Sequence, residues 1–136
     1  MTREQVIDYI QDVKFGYLAT VGADGAPRVR PVGIYTVYGD NLYFFTTANT
    51  RKVAEIDAHP QVEVVWSKLQ EQSQVRISGT MAVEEDPAVI QQFKADNPIV
   101  ANLLPDAAQH LFRLYRLEPG NVYRAEGMVP YTEVAW

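Results

Sequence analysis

The residues best suited to do chemistry lie in one short stretch, "FFTTANTRKV", at positions 44–53. Thr46, Thr47 and Thr50 precede Arg51 and Lys52 at the point where a helical pattern begins. The helix dipole disfavours cations in a first turn, by roughly a few tenths of a kcal/mol each at an exposed site. A bound anion removes that cost, because hydroxyls, cations and free backbone N–H groups all bind phosphate. The spacing therefore predicts a phosphate site.

A plainer interpretation is that Arg51 and Lys52 are two tolerated surface charges. The threonine-rich end of an apolar strand directly before them favours the phosphate site over that alternative. The stretch lacks the glycine-rich fingerprints of P-loop and dinucleotide-binding folds. A cofactor of the mononucleotide type is therefore favoured over ATP or NAD.

No second group of side chains predicts catalysis. The chain has no cysteine, which leaves no disulfide, thiolate metal site or cysteine nucleophile. His59 and His110 lie far apart, without the spacing of metal ligands, and no serine sits in a nucleophile elbow. We predict no metal site and no side chain that acts as an essential acid or base. Trp66 and Trp136 are interpreted as core or interface aromatics.

The elements that must position the phosphate site alternate between helical and strand patterns. Amphipathic spacing predicts helices over 2–13 and 50–58, a third from Pro87 after the cap Asp86, and short helical pieces over 97–108. Strands are predicted over 16–21, 28–38 with an irregularity at Pro31 and Gly33, 41–47, 61–67 and 73–85, and as a last pair flanking Glu118-Pro119-Gly120. Tight turns between consecutive strands favour antiparallel pairing. We predict six or seven strands in an α+β fold built around an antiparallel β-barrel.

Composition and charge narrow the class of protein. The chain has 136 residues, 47% hydrophobic and 21% charged, which predicts one domain over residues 1–136. Its net charge of −5 argues against nucleic acid and an anionic membrane surface as partners. The N-terminus lacks the apolar segment of a signal peptide, and no stretch reaches the ~18 apolar residues of a spanning helix. We therefore expect a cytoplasmic protein.

The order of these features resembles one family. "LATVGADGAPRVRPVGIYTVYGDNLYFFTTANTRKVAEIDAHPQVEVVWS", followed by "SQVRISG", is similar to the pyridoxamine 5′-phosphate oxidase-like, FMN-binding split-barrel family. The similarity runs from about Lys14 to Met81. It consists of an Arg-led strand, a strand ending in aromatic-Thr, Arg-Lys opening a helix, His-Pro ending it, and a later Gln-Val strand. Each of these features is a weak signal by itself, but their order and spacing along the chain are specific to the family.

The resemblance implies a fold, a cofactor and a set of binding residues. The fold would be a split barrel working as a homodimer, with FMN in the cleft between subunits. The phosphate would be held by Arg51 and Lys52, and Phe45 and Thr46 would supply the aromatic-Thr strand end. The flavin would be lined by the Arg-led strand, Arg30, Pro31, Val32, Gly33, Ile34 and Tyr35, and contacted by Gln74.

Two departures separate this chain from the true oxidase. That enzyme has a lysine for its substrate's phosphate at the position of Tyr35. Its C-terminal segment, with an Arg and a His near a Trp, has no convincing match in "VYRAEGMVPYTEVAW". The resemblance therefore implies FMN and does not imply vitamin B6 chemistry.

Two functions follow, and a third is weaker. The first is an FMN-dependent oxidoreductase that acts on a small-molecule substrate, in which the flavin supplies the chemistry. The second is a protein that binds flavin, deazaflavin or haem for storage or sensing without turnover. The third is a split barrel that has lost its cofactor, which the intact Arg51-Lys52 pair disfavours. Tyr131 and Trp136 are candidates to cover the cofactor of a neighbouring subunit.

Overall fold

The computed structural model describes residues 1–136 and contains eight strands and four α-helices. The helices are α1 (Arg3–Val13), α2 (Arg51–Ala58), α3 (Pro87–Asp96) and α4 (Ile99–Leu103), with 3-10 turns at Leu69–Glu71 and Asp106–Leu111. The strands are β1 (Gly16–Val21), β2 (Pro27–Val32), β3 (Tyr35–Tyr38), β4 (Asn41–Thr47), β5 (Gln61–Lys68), β6 (Ser73–Val83), β7 (Phe112–Glu126) and β8 (Thr132–Glu133).

The three longer helices occur where the sequence predicts them. Thr2 forms a capping box with Gln5 at the start of α1, whose Val6 and Ile10 are fully buried. Asp86 caps α3 by accepting a hydrogen bond from the N–H of Ala88. The helix α2 ends before Pro60, because the residue that precedes a proline disfavours the helical conformation.

The sheet curls because its two edges are joined by a very short link. All strand pairs are antiparallel, in the order β2-β1-β5-β6-β7-β4-β3, with β8 beside β7. Strands β2 and β3 lie at opposite ends of that order, yet only Gly33 and Ile34 separate them in sequence. The two edges must therefore lie close together. The N–H of Phe45 donates to the carbonyl of Ile34 (3.1 Å), which extends the β3–β4 pairing into the link. The predicted antiparallel split β-barrel with flanking helices is confirmed.

Two strand predictions need correction. Residues 28–38 do not form one irregular strand, because Gly33 and Ile34 carry the chain from one sheet edge to the other. The predicted last pair of strands around Glu118-Pro119-Gly120 is one long strand, β7, since both halves pair with β6 across a bulge. Gly79 permits that bulge, because a side-chain carbon there would overlap the carbonyl oxygen of Glu118.

Two apolar clusters stabilise the fold, and one face of the sheet stays open. The larger cluster fills the barrel and includes Trp66, which is completely buried. The smaller cluster packs Phe93 of α3 and Val100 of α4 against the outer side of β4 and β7. On the outer face of β2, β1, β5 and β6, Tyr17 is 51% exposed and Val29 is 64% exposed. None of the helices is long and apolar enough to cross a membrane.

Candidate functional site

A groove of about 230 Å³ opens where β2 and β4 end and α2 begins. We call it the mouth groove. It is lined by Pro31, Val32, Gly33, Ile34, Phe45, Thr46, Thr47, Thr50 and Lys52. The structure thus brings together every predicted cofactor-binding residue except Arg30, Tyr35, Arg51 and Gln74. Residues from two strands and one helix converge here because the link between β2 and β3 closes the barrel at this point.

The start of α2 carries no side-chain cap, unlike the starts of α1 and α3. The hydroxyl of Thr50 donates instead to the carbonyl of Thr47 (2.9 Å) and lies 3.4 Å from the hydroxyl of Thr46. The first backbone N–H groups of a helix have no partner within the helix. Thr46, Thr47 and Thr50 line the mouth groove beside the start of α2, an arrangement that suits an anion.

Lys52 is the cation of the mouth groove. It is half-buried and makes no ion pair with a carboxylate. Burial lowers the pKa of Lys52, and the charge of nearby Arg30 lowers it further. A half-buried ammonium next to a second cation is electrostatically unfavourable by itself. A bound anion would relieve both effects, so the groove is arranged for negative charge.

Arg30 points to the inner side of β2 and is held by a buried carboxylate, Glu55. Its guanidinium lies 3.3 Å from Oε2 of Glu55 and donates to the hydroxyl of Thr20 (2.6 Å) and the carbonyl of Leu18 (3.3 Å). Thr20 in turn donates to Glu55 Oε2 (2.8 Å). Burial alone would raise the pKa of Glu55, but hydrogen bonds from Thr20, Arg51 and Arg30 lower it overall.

Arg51 lies on a different side of α2 from Lys52 and does not line the mouth groove. It lines a second cleft, of about 290 Å³, that we call the hairpin cleft: Gly22, Ala23, Asp24, Arg28, Arg51, Ala54, Glu55 and Ala58. Its Nε donates to Oε1 of Glu55 (3.2 Å), one helical turn later. Glu55 is therefore a counter-charge that our interpretation of the Arg51-Lys52 pair overlooked. The spacing of Arg51 and Glu55, four residues apart, was the signal that could have revealed it.

Gly33 lies directly against an aromatic ring. A side-chain carbon at Gly33 would overlap the ring of Phe15, which sequence analysis did not single out. Phe15 follows a tight γ-turn at Lys14, with φ 71° and ψ −64°, in which the N–H of Phe15 donates to the carbonyl of Val13 (2.9 Å). The exposed ring, at 56%, thus flanks the mouth groove.

Gln74 does not reach the mouth groove within one chain. It lies on β6, beside Ser67 and Ala125 of the neighbouring strands, on the outer face. Three strand spacings separate β6 from β2, which amounts to roughly 14 Å. Gln74 therefore belongs to the exposed outer face of the sheet.

The remaining candidates turn away from the groove. The hydroxyl of Tyr35 donates to the carbonyl of Ile10 in α1 (2.6 Å). Tyr131 lies on the outer face, where its hydroxyl accepts a hydrogen bond from Arg76 (2.7 Å). Trp136 docks on its own chain by donating from Nε1 to the carbonyl of Asp40 (2.7 Å).

The fold and this groove define a class: a split barrel whose mouth is lined by threonine hydroxyls and a lysine. A family model for pyridoxamine 5′-phosphate oxidase matches residues 2–124. The chain belongs to that family of FMN-binding split-barrel proteins, as the resemblance implied, and it is a relative of the true oxidase, not that enzyme. The pyridoxine/pyridoxamine 5′-phosphate oxidase of Cupriavidus metallidurans is 34% identical over 86 residues. Those residues are 63% of this chain and 40% of that protein, so the match spans less than half of the relative.

Solved structures show the same fold at low sequence identity. A NimC/NimA family protein from Clostridium acetobutylicum has a TM-score of 0.81 at 20% identity, covering 96% of this chain and 89% of that one. A pyridoxamine 5′-phosphate oxidase-related, FMN-binding protein from Nostoc punctiforme has a TM-score of 0.67 at 19% identity, covering 96% and 88%. A haem-binding protein from Mycobacterium smegmatis has a TM-score of 0.73 at 17% identity, covering 92% and 54%. Such identities establish the fold alone.

Proposed function

We propose that this chain is a single-domain FMN-binding flavoprotein that holds the cofactor phosphate at the mouth groove. One observation carries the proposal: the uncapped start of α2, the threonine hydroxyls and the unpaired Lys52 meet at one opening of the barrel. These groups suit a phosphate by charge and by hydrogen bonding. Because the chain belongs to a family of FMN-binding proteins, we propose that this phosphate is the phosphate of FMN.

The local charge supports a phosphate dianion. Arg30, Arg51 and Lys52 carry three positive charges around the start of α2, and Glu55 supplies the single carboxylate that pairs with them. Two positive charges remain uncompensated. A phosphate monoester carries about −1.5 to −2 at neutral pH, which matches that excess.

FMN would supply hydride and electron transfer, and the protein would supply binding, position and electrostatics. In this proposal Lys52, Thr46, Thr47 and Thr50 bind the phosphate. The strand end from Pro31 to Gly33 and the ring of Phe45 line the adjoining part of the groove. The catalytic version of the proposal is an oxidoreductase that acts on a small molecule.

The outer face supports a homodimer with the cofactor between subunits. It exposes Tyr17 and Val29, and it carries Gln74, which lies roughly 14 Å from β2 of its own chain. A second copy packed on this face would bury that apolar surface and bring its own Gln74 toward the groove. We propose a cytoplasmic protein, since a chain without cysteine needs no oxidising compartment to fold.

Flavin is favoured over haem in the mouth groove. The groove contains no histidine, cysteine, methionine or tyrosine, which are the usual axial ligands of haem iron. His59 and His110 are both exposed and lie outside it. Flavin binding without turnover remains the second candidate, because the groove accounts for binding and names no catalytic group.

The visible absorbance of freshly purified protein tests the cofactor. We expect the bands of oxidised flavin, and removal of both Arg51 and Lys52 by alanine substitution should release most of it. The double variant Arg28→Ala/Lys94→Ala changes net charge equally and should keep its flavin. Full flavin occupancy in the Arg51→Ala/Lys52→Ala protein would refute the phosphate assignment. Saturable reduction by NADH or NADPH, followed by re-oxidation with a small acceptor, would distinguish an enzyme from a binding protein.

A further inference from the structure

We propose that Glu55 competes with the cofactor phosphate for Arg51, and so sets how tightly the phosphate binds. This rests on the proposed function, because the phosphate is that of FMN. Glu55 is then a positioning residue. It holds Arg51 away from the mouth groove until an anion binds there and the guanidinium leaves Glu55 to contact that anion.

The direction in which Arg51 points supports this competition. Its bond to Glu55 spans one turn of α2, which draws the side chain toward the C-terminal end of the helix. A phosphate at the helix start would lie in the other direction. Arg51 accordingly lines the hairpin cleft, whereas Lys52, the next residue, lines the mouth groove.

The two arginines bound to Glu55 differ in how easily they can leave it. Arg51 is 71% exposed and donates only through Nε. Arg30 is 21% exposed and also bonds to Thr20 and to the carbonyl of Leu18. If Arg51 leaves, Glu55 keeps Arg30 and the hydroxyl of Thr20 as partners. Release of Arg51 therefore leaves no buried charge unpaired, and the exchange is electrostatically feasible.

Glu55→Gln removes the competing charge and keeps the shape of the side chain. The amide oxygen of glutamine can still accept hydrogen bonds from Thr20 and Arg30. We expect FMN to bind about tenfold more tightly to this variant, since Arg51 becomes free and one negative charge near the phosphate is lost. Riboflavin, which has no phosphate, should bind both proteins equally. A merely structural role for Glu55 predicts weaker binding of both ligands.

A double-mutant cycle on the full chain tests the route through Arg51. FMN and riboflavin affinities are measured by fluorescence for the wild type, Glu55→Gln, Arg51→Ala and the double variant. We expect most of the gain from Glu55→Gln to disappear when Arg51 is already alanine, which leaves only the part that comes from the lost negative charge. Glu118→Gln is the control for charge, because Glu118 pairs with Arg116 away from the site. An equal gain in the Arg51→Ala background, or no gain in the wild-type background, would overturn the proposal.

Two further measurements keep the tests of cofactor and competition separate. If the wild-type protein binds inorganic phosphate but not FMN, the proposed cofactor is wrong. The competition is then tested by measuring the affinity for inorganic phosphate in the same four proteins. If Glu55→Gln does not fold, the NMR signal of the Arg51 Nε–H group in the wild type decides. It should shift on addition of FMN and stay in place with riboflavin; equal shifts with both would refute the competition.

Discussion

The cations on the two sides of α2 have different partners. In the hairpin cleft, Arg51 pairs with Glu55 and Arg28 pairs with Asp24 (3.0 Å). In the mouth groove, Lys52 has threonine hydroxyls around it and no carboxylate. The same helix thus has a side whose charges are neutralised within the chain and a side whose cation has no carboxylate partner.

This difference separates residues that stabilise the fold from residues that we propose bind the cofactor. A buried carboxylate with several hydrogen bonds ties α2 to β1 and β2, so removing one of its partners should destabilise the protein. A half-buried cation without a partner costs stability and becomes favourable only when an anion binds. Substitutions on the two sides should therefore change different measured quantities.

The largest effect is expected from Lys52→Ala. Loss of a charge-assisted hydrogen bond to phosphate should weaken FMN binding about a hundredfold. The ligand-free variant should unfold at the same temperature as wild type or higher, because a half-buried charge near Arg30 is gone. Flavin titration and thermal unfolding check both expectations.

Arg51→Ala provides the matched comparison for Lys52→Ala. It should weaken FMN binding less, since Arg51 must first leave Glu55. Equal losses of FMN affinity in the two single variants would mean that Arg51 and Lys52 contribute alike to binding. The proposed difference between the two sides of α2 would then be wrong.

The next largest effect is a loss of stability, expected on the side of α2 where Glu55 pairs with the arginines. Thr20 is buried and serves both Glu55 and Arg30. Thr20→Val keeps the volume but leaves the carboxylate without one donor, so the free energy of unfolding should fall by about 2 kcal/mol. Riboflavin and FMN affinities should change little.

Chemical denaturation and flavin titration measure these two outcomes for Thr20→Val. The exposed outer-face substitution Thr80→Val is the control for the change of side chain. A variant that loses flavin but not stability would contradict the assignment of Thr20 to the stabilising side.

The sequence predicted the fold class and the helices more accurately than the connections between the strands. Helix caps and apolar spacing predicted α1, α2 and α3, since these depend on residues close in the chain. The link at Gly33 and Ile34 and the bulge opposite Gly79 depend on strands far apart in sequence. Local patterns cannot show that β2 and β3 occupy opposite edges of one sheet.

The candidate site was predictable in part for the same reason. Lys52 and the threonines are neighbours in sequence, and one groove collects them. Glu55 was missed although its spacing from Arg51 was visible, because a solvated helix surface explains most such pairs. Phe15 was missed because only the barrel brings it against Gly33.

The smallest effect concerns Tyr35, which starts β3 at the edge of the mouth groove but turns its hydroxyl inward to Ile10. Burial raises the pKa of Tyr35 to about 12, from 10.0 for a free side chain. The folded state thus holds this proton more tightly than the unfolded chain. Its contribution to stability is complete below pH 10 and is lost as the pH rises toward 12. Tyr35→Phe should therefore reduce the steepness with which the unfolding free energy falls over this interval, whereas exposed Tyr17→Phe should not. FMN affinity should be unchanged in both variants; a loss confined to Tyr35→Phe would place this hydroxyl on the ligand side of the barrel.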